Sequence, residues 1–252
     1  MRTAERTDVG RIRSVNEDRA VILPEKYGTV IAIIADGMGG HQAGDIASQL
    51  AIEKIREELS GLPEGATLEE RKVAIRLAVE AANAEVYRQA SQREQLRGMG
   101  TTVVVSLATP DQLVVGHIGD SRAYLAADSR LVQLTEDHSL VNELLKSGQI
   151  TREEADHHPR RNVLLRALGT DTEVQVDVVE HSWTEGDILL MCSDGLSNMV
   201  NEEECLEVLQ SEHSLEHKVD ELVERALSAG GDDNVTVVLI ENRPAEASGK
   251  EG

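Results

Sequence analysis

The apolar positions of this chain change period along its length. Val30 to Ala35 form one continuous apolar run that stops at Asp36 and a glycine cluster, Gly37-Met38-Gly39-Gly40. That predicts a buried strand over 28–36, after other short β-like runs at the start of the chain. The spacing then becomes helical. Ile46, Leu50, Ile52, Ile55 and Leu59 predict a helix over 45–59, and Val73, Leu77, Ala81 and Ala84 predict another over 68–95. Gly61, Pro63 and Gly65 mark the join. Strand patterns return at 101–108, 112–118, 122–126 and 131–134, separated by tight polar breaks. Short helical pieces follow at 140–146 and 152–157. Strands at 174–181 and 187–192, helices at 202–210 and 215–229, and a strand at 235–241 complete the pattern.

Closely spaced strands with tight turns indicate antiparallel pairing, because parallel strands need long crossovers. Strands in runs and helices in pairs indicate an α+β fold rather than alternating βαβ units. Two antiparallel sheets packed face to face, with the helices outside, would bury every amphipathic face: a four-layer αββα sandwich. Residues 1–242 are expected to form one domain, with 139–170 as an insert on its rim. Residues 243–252 read as a polar tail.

The chain has 252 residues and no phenylalanine, with a formal net charge of −21. Ile, Leu and Val supply 66 residues, so the core is aliphatic rather than missing. Most of the acid lies after residue 127, where it reads as a solvated surface. Such a chain has no basic face for nucleic acid or an anionic membrane. Cys192 and Cys205 are too few for a disulfide framework. No secretory signal and no long apolar span is visible, so a soluble cytoplasmic protein is expected.

Four aspartates stand at the ends of apolar strands: Asp36, Asp120, Asp194 and Asp233. Aspartate is a poor strand residue and is costly to bury unpaired. One such residue is usually a turn or a cap. Four of them, three directly beside glycine, are better explained as carboxylates gathered around cations. No zinc-type spacing of Cys or His is present. An all-oxygen set suits Mg²⁺ or Mn²⁺, and a two-metal site activates water for in-line attack at phosphorus. Near the N-terminus, Arg13 precedes Asn16-Glu17-Asp18. A guanidinium beside metals offers a two-pronged donor to a phosphate. His117 and His138 lie beside apolar runs and read as hydrogen-bonded structural residues. Ser121 and Ser193 lack a nucleophile-elbow setting.

Six motifs occur in order: Gly10-x-x-Arg13-x-x-Asn16-Glu17-Asp18, Ala35-Asp36-Gly37-Met38-Gly39-Gly40-His41, Met99-Gly100-Thr101-Thr102, Gly119-Asp120-Ser121-Arg122, Ser193-Asp194-Gly195 and Asp233-Asn234-Val235-Thr236. Together they resemble the metal-dependent protein phosphatase 2C family, and its compact bacterial serine/threonine branch in particular. The resemblance implies that Asp36 bridges two Mn²⁺ or Mg²⁺ ions and that the Gly37 carbonyl binds one. Asp194 and Asp233 would bind the other, and Asp120 with Asp194 a third, weaker site. It places Glu17, Asp18 and Asn234 around the ligands and Arg13 on the phosphate. It implies direct attack on phosphorus by a hydroxide bridging the ions, without a phospho-enzyme. The expected substrates are phosphoserine and phosphothreonine proteins, loaded by a partner Ser/Thr kinase, and the enzyme is expected to be a monomer. Residues 139–170 correspond to the family's flap. Animal members carry a histidine where this chain has Met38; His41, three residues on, is the candidate proton donor. The competing readings are a pseudophosphatase that only binds phosphoproteins and a phosphatase of small phosphorylated metabolites.

Overall fold

The strand β3 (Thr29–Met38) shows how the layers arise. Val30, Ala32 and Ile34 enter one apolar cluster, while Ile31, Ile33 and Ala35 enter another. A strand apolar on both faces needs cover on both. A computed structural model describes residues 1–39 and 43–243. In it β3 pairs with β2 (Asp18–Lys26) on one side and β5 (Val103–Ala108) on the other. The sheet continues through β6 (Gln112–Ile118) to β9 (Asp177–Ser182), and the short β4 (Gly100–Thr101) pairs with the end of β3. The second sheet runs β1 (Arg2–Asp8), β11 (Val235–Glu241), β10 (Ile188–Cys192), β7 (Arg122–Ala127), β8 (Arg130–Gln133). Every pairing is antiparallel.

Helices α1 (Ala43–Leu59) and α2 (Leu68–Gln92) cover the first sheet. A capping box starts α2: Glu70 N–H donates to Thr67 Oγ1 and Thr67 N–H to the Glu70 carboxylate. Helices α6 (Glu202–Gln210) and α7 (Leu215–Ser228) cover the second sheet. Val238 and Ile240 of β11 meet β3 between the sheets, while Val235, Val237 and Leu239 face α7. The expected αββα sandwich is what forms. Between β8 and β9 lie α3 (Leu140–Lys146) and α4 (Arg152–Asp156), and between β10 and α6 the single turn α5 (Asp194–Ser197).

Three details depart from the sequence pattern. The expected strand 101–108 is broken at Thr102, whose N–H leaves the ladder to donate to the Asp36 carbonyl at 2.9 Å. The expected strand 174–181 pairs only from Asp177, because Val174 and Val176 pack onto the helix-side cluster instead. The polar segment Arg2–Asp8 is a strand, held to β11 along its whole length. His41 and residues beyond 243 lie outside the described residues.

The antiparallel register sends one set of strand ends to one place. Asp18, opening β2, is the direct partner of Asp36 in β3. The ends of β6 and β10 and the start of β11 deliver Asp120, Asp194 and Asp233.

Candidate active site

Asp18 is the most enclosed of the carboxylates, 1% exposed. Its Oδ2 accepts from Ser193 Oγ and Thr236 Oγ1, both at 2.7 Å, while its Oδ1 is buried without a partner. Burial drives its pKa up to about 7; the two hydroxyls oppose this, and Asp194 and Asp233 add to it. Asp36 is pushed well above the carboxylate range by burial first, then by Asp18, Asp194, Asp120 and Asp233. Asp120 rises to about 7 through burial and the nearby charges of Asp194 and Asp137. Asp194 rises to about 6 through burial and Asp233; its Oδ2 accepts from Asn198 Nδ2 at 3.0 Å and its Oδ1 is buried and unpaired. The structure therefore brings all four strand-end aspartates and Asp18 into one electrostatic cluster.

Short-range hydrogen bonds fix the backbone beneath these carboxylates. Thr101 Oγ1 donates to the Asp36 carbonyl at 2.9 Å, and Asp36 N–H donates to Thr102 Oγ1 at 3.1 Å. Ser193 and Thr236 are joined twice, Ser193 N–H to the Thr236 carbonyl and Thr236 N–H to Ser193 Oγ. Asn234 ties the N-terminal loop to β11: its Nδ2 donates to the Val9 and Val15 carbonyls, and its Oδ1 accepts from Glu17 N–H at 2.8 Å. Arg13, on that loop, donates Nη2 to Asp233 Oδ2 at 2.7 Å. Arg13 is thus placed at the cluster, half-exposed, beside the carboxylate expected to bind metal.

Glu17 sits over the start of α1. Its Oε1 is buried without a partner, and burial raises its pKa against hydrogen bonds from the Gly44 and Asp45 backbone. The room for it comes from two glycines. A Cβ on Gly37 would meet the Gly44 carbonyl oxygen at 2.1 Å, and a Cβ on Gly44 would meet the Glu17 carboxyl at 2.7 Å. A Gly44→Ala variant is accordingly expected to displace Glu17 and to shift the Gly37 backbone, whose carbonyl carbon lies 2.8 Å from the added carbon, and to lower turnover by roughly 10²-fold. Steady-state kinetics beside a thermal melt would check this, and full turnover would refute it.

The residues fit divalent cations. Among the described residues Glu17 Oε1, Asp18 Oδ1 and Asp194 Oδ1 are buried oxygens without a donor, and they belong to one cluster of mutually repelling carboxylates. The donor set is all oxygen, as hard divalent ions require.

Elsewhere among the described residues, two groups bring metal-ligating atoms within 4.8 Å of one another. In His117, His138 and Asp177 the imidazoles are stacked 4.7 Å apart at 18°. Parallel rings point their in-plane lone pairs side by side rather than at one ion. Both nitrogens of His138 are engaged, by Gly119 N–H and Asp177 Oδ2. These histidines are hydrogen-bonded structural residues, in line with the sequence reading. The second group, His213, His217 and Glu221, has exposed histidines, and Arg225 grips Glu221.

A cleft of about 980 Å³ leads from Asp120 and Asp194 between the 139–170 segment and the α5–α6 junction, lined also by Arg161, Asn201 and Glu203. It opens onto the cluster at Asp120 and Asp194.

Comparisons with known proteins agree with the overall fold. The family model for protein phosphatase 2C matches residues 11–236. The chain belongs to the protein phosphatase 2C family. It is a serine/threonine protein phosphatase of the bacterial type. Over 236 residues it is 45% identical to the serine/threonine phosphatase stp of Listeria monocytogenes, covering 94% of each chain. The serine/threonine phosphatase structure from S. agalactiae superposes with a TM-score of 0.89 at 36% identity, covering 94% of this chain and 98% of that one. The catalytic domain of the phosphatase PstP, solved with two manganese ions, is 38% identical with a TM-score of 0.82, covering 95% and 97%. Protein phosphatase 2C enzymes require divalent metals. No helix among the described residues is long and apolar enough to cross a membrane.

Sequence reasoning passed over several supporting residues of this phosphatase. Ser193 and Thr236 are the hydroxyl partners of Asp18, and Thr101 and Thr102 hold Asp36. A faint signal existed: each is a hydroxyl residue within three positions of a strand-end aspartate, or inside a Gly-Thr-Thr run.

Proposed function

We propose that this phosphatase hydrolyses phosphoserine and phosphothreonine in proteins at a centre of two Mn²⁺ or Mg²⁺ ions, reversing a bacterial Ser/Thr kinase. One observation carries the reading: five aspartates and Glu17 converge with three buried, unpartnered carboxylate oxygens and too little cationic charge among them. Asp36 and the Gly37 carbonyl would hold one ion and Asp36, Asp194 and Asp233 the other, with a weaker ion at Asp120 and Asp194. When bound, such ions supply an activated water in line with phosphorus and offset the charge of the phosphate.

The chain's own residues do the rest. Arg13 offers its remaining guanidinium donors to two phosphate oxygens, held in place by Asp233. Asp18 and Glu17 would accept hydrogen bonds from water held at the centre and orient it. The 980 Å³ cleft receives the polypeptide around the phosphorylated side chain. His41, outside the described residues, is the proposed donor of a proton to the departing alkoxide; such a donor is worth roughly 10²–10⁴ in rate. The enzyme is proposed to work as a soluble monomer in the cytoplasm, as one catalytic domain with 139–170 as its flap.

The test is hydrolysis of a phosphothreonine peptide beside a small aryl phosphate and a sugar phosphate. Turnover of the peptide is expected only with Mn²⁺ or Mg²⁺ present, and its loss in chelator should reverse on re-adding metal. Undiminished turnover in chelator would sink the reading. Faster turnover of the sugar phosphate than of the peptide would instead favour a metabolite phosphatase.

A further inference from the structure

Among the described residues the Asp120 side chain has no hydrogen-bond partner in another residue, yet its position is tightly specified. The Gly119-to-Arg122 turn that carries it is gripped at both ends by one dipeptide, Asp137-His138. At the near end, His138 N–H donates to the Gly119 carbonyl at 2.9 Å, and Gly119 N–H donates back to His138 Nδ1 at 3.1 Å. Gly119 has φ +105°, and a Cβ there would strike Thr102 at 2.6 Å, so the turn has no slack toward β5. At the far end, Arg122 lays its guanidinium fork on Asp137, Nε to Oδ1 at 2.8 Å and Nη2 to Oδ2 at 2.6 Å. Between them Ser121 Oγ lies 2.7 Å from Thr102 Oγ1.

The same dipeptide is the root of the 139–170 segment. Leu165 N–H donates to the His138 carbonyl at 2.8 Å, and Asn142 Nδ2 donates to the Asp137 carbonyl at 2.8 Å. The tautomer of His138 follows from its neighbours. Nδ1 accepts from Gly119, so Nε2 carries the hydrogen and donates to Asp177 Oδ2 at 3.2 Å. Asp177 is in turn held by Arg166 at 3.0 Å. His117 stacks on the other face of the His138 ring, anchored by its Nε2 at the Glu136 carbonyl.

We infer that Asp137 and His138 are positioning residues that aim Asp120 into the metal centre and tie its placement to the root of the flap. The inference rests on the proposed ligand role of Asp120, but the clamp itself is testable without metal. Two variants separate its halves. His138→Asn keeps an acceptor where Nδ1 stands and drops the reach to Asp177. His138→Gln keeps a distant polar end and drops the acceptor for Gly119.

Amide hydrogen exchange is measured first on the metal-free chains. Exchange at Gly119 is expected to accelerate about tenfold in His138→Gln, as for loss of one hydrogen bond, and to stay near the parent rate in His138→Asn. Mn²⁺ calorimetry follows. His138→Gln and Asp137→Asn are expected to weaken the weakest Mn²⁺ site about tenfold while the tighter sites hold within twofold. Equal Gly119 protection in all three chains would overturn the inference. Equal loosening by both His138 variants would also overturn it, showing packing rather than positioning. If the parent itself binds no Mn²⁺, the proposed metal centre fails, and the exchange data still decide the clamp.

Discussion

Asp36→Asn is expected to lower phosphatase turnover by at least about 10³-fold while making the metal-free protein more stable. The first effect follows from position. Burial and then the charges of Asp18, Asp194, Asp120 and Asp233 push the Asp36 carboxyl well above its ordinary range, so it shares its surroundings with all four. Asparagine keeps the shape and removes the charge that would be shared between two cations. The second effect has the opposite sign and the same origin. To fold near neutral pH, the parent must either retain a repelled carboxylate at Asp36 or take up a proton there, and both are unfavourable. Asparagine requires neither. A gain of a few kcal/mol is expected, with the melting temperature rising about 2–4 °C for each kcal/mol in a chain of this size. Mn²⁺ should reverse the order. A ligand at 100 times its dissociation constant stabilises by about 2.7 kcal/mol, and only the parent should gain this in full. Melting curves of both chains in chelator and in Mn²⁺, beside turnover, check the pair of effects. An active variant, or one that gains as much from Mn²⁺ as the parent, would refute the assignment.

The metal-free enzyme is expected to be most stable in mild acid and to lose stability as pH rises toward neutrality. Asp18 and Asp120 titrate at about 7 in the folded chain and Asp194 at about 6, all from an ordinary value of 3.8. Between about pH 4 and pH 7 the folded chain therefore binds more protons than the unfolded chain. The stability these groups supply falls as pH rises through that window, and the fall ends about one unit above pH 7, where Asp18 and Asp120 finish ionising in the folded chain. Each group contributes a slope of up to about 1.4 kcal/mol per pH unit while it remains protonated only in the folded state. Metal binding needs the ionised carboxylates, so bound Mn²⁺ is expected to help most where the apo protein is weakest. Urea unfolding at pH 5.5 and pH 8, in chelator and in Mn²⁺, gives four stabilities. The Mn²⁺ increment should be larger at pH 8 than at pH 5.5 by several kcal/mol. An increment independent of pH would contradict a centre built from these aspartates.

Much of the fold was legible in short windows of sequence. The strands Gln112–Ile118 and Val235–Glu241 and the helices Leu140–Lys146 and Glu202–Gln210 have the bounds that their periods and flanking polar residues predict. The strand Arg2–Asp8 was not legible in that way. It is an edge strand in which only Ala4 is buried, and its alternating charges look like a solvated segment. Arg6, for example, faces Asp220 and Glu224 of α7, partners more than 200 residues away. The same limit hid the residues that support the site. Asp18 is held by Ser193 and Thr236 across 175 and 218 positions, and no local pattern encodes such a pair. His138 was legible as a hydrogen-bonded residue but not as the partner of Gly119.

The sequence by itself determined the kinds of element and placed an aspartate at the end of four apolar strands, because both are matters of near-neighbour spacing. It also carried the family motifs in order. Only the tertiary structure decided that these strand ends meet, since the antiparallel register that sets Asp18 opposite Asp36 is a property of two paired segments. Only there does the excess negative charge separate into two parts. Most acids face solvent, where water screens them. A handful are drawn together away from water, where like charges raise one another's pKa and, among the described residues, oxygens such as Asp18 Oδ1 find no donor.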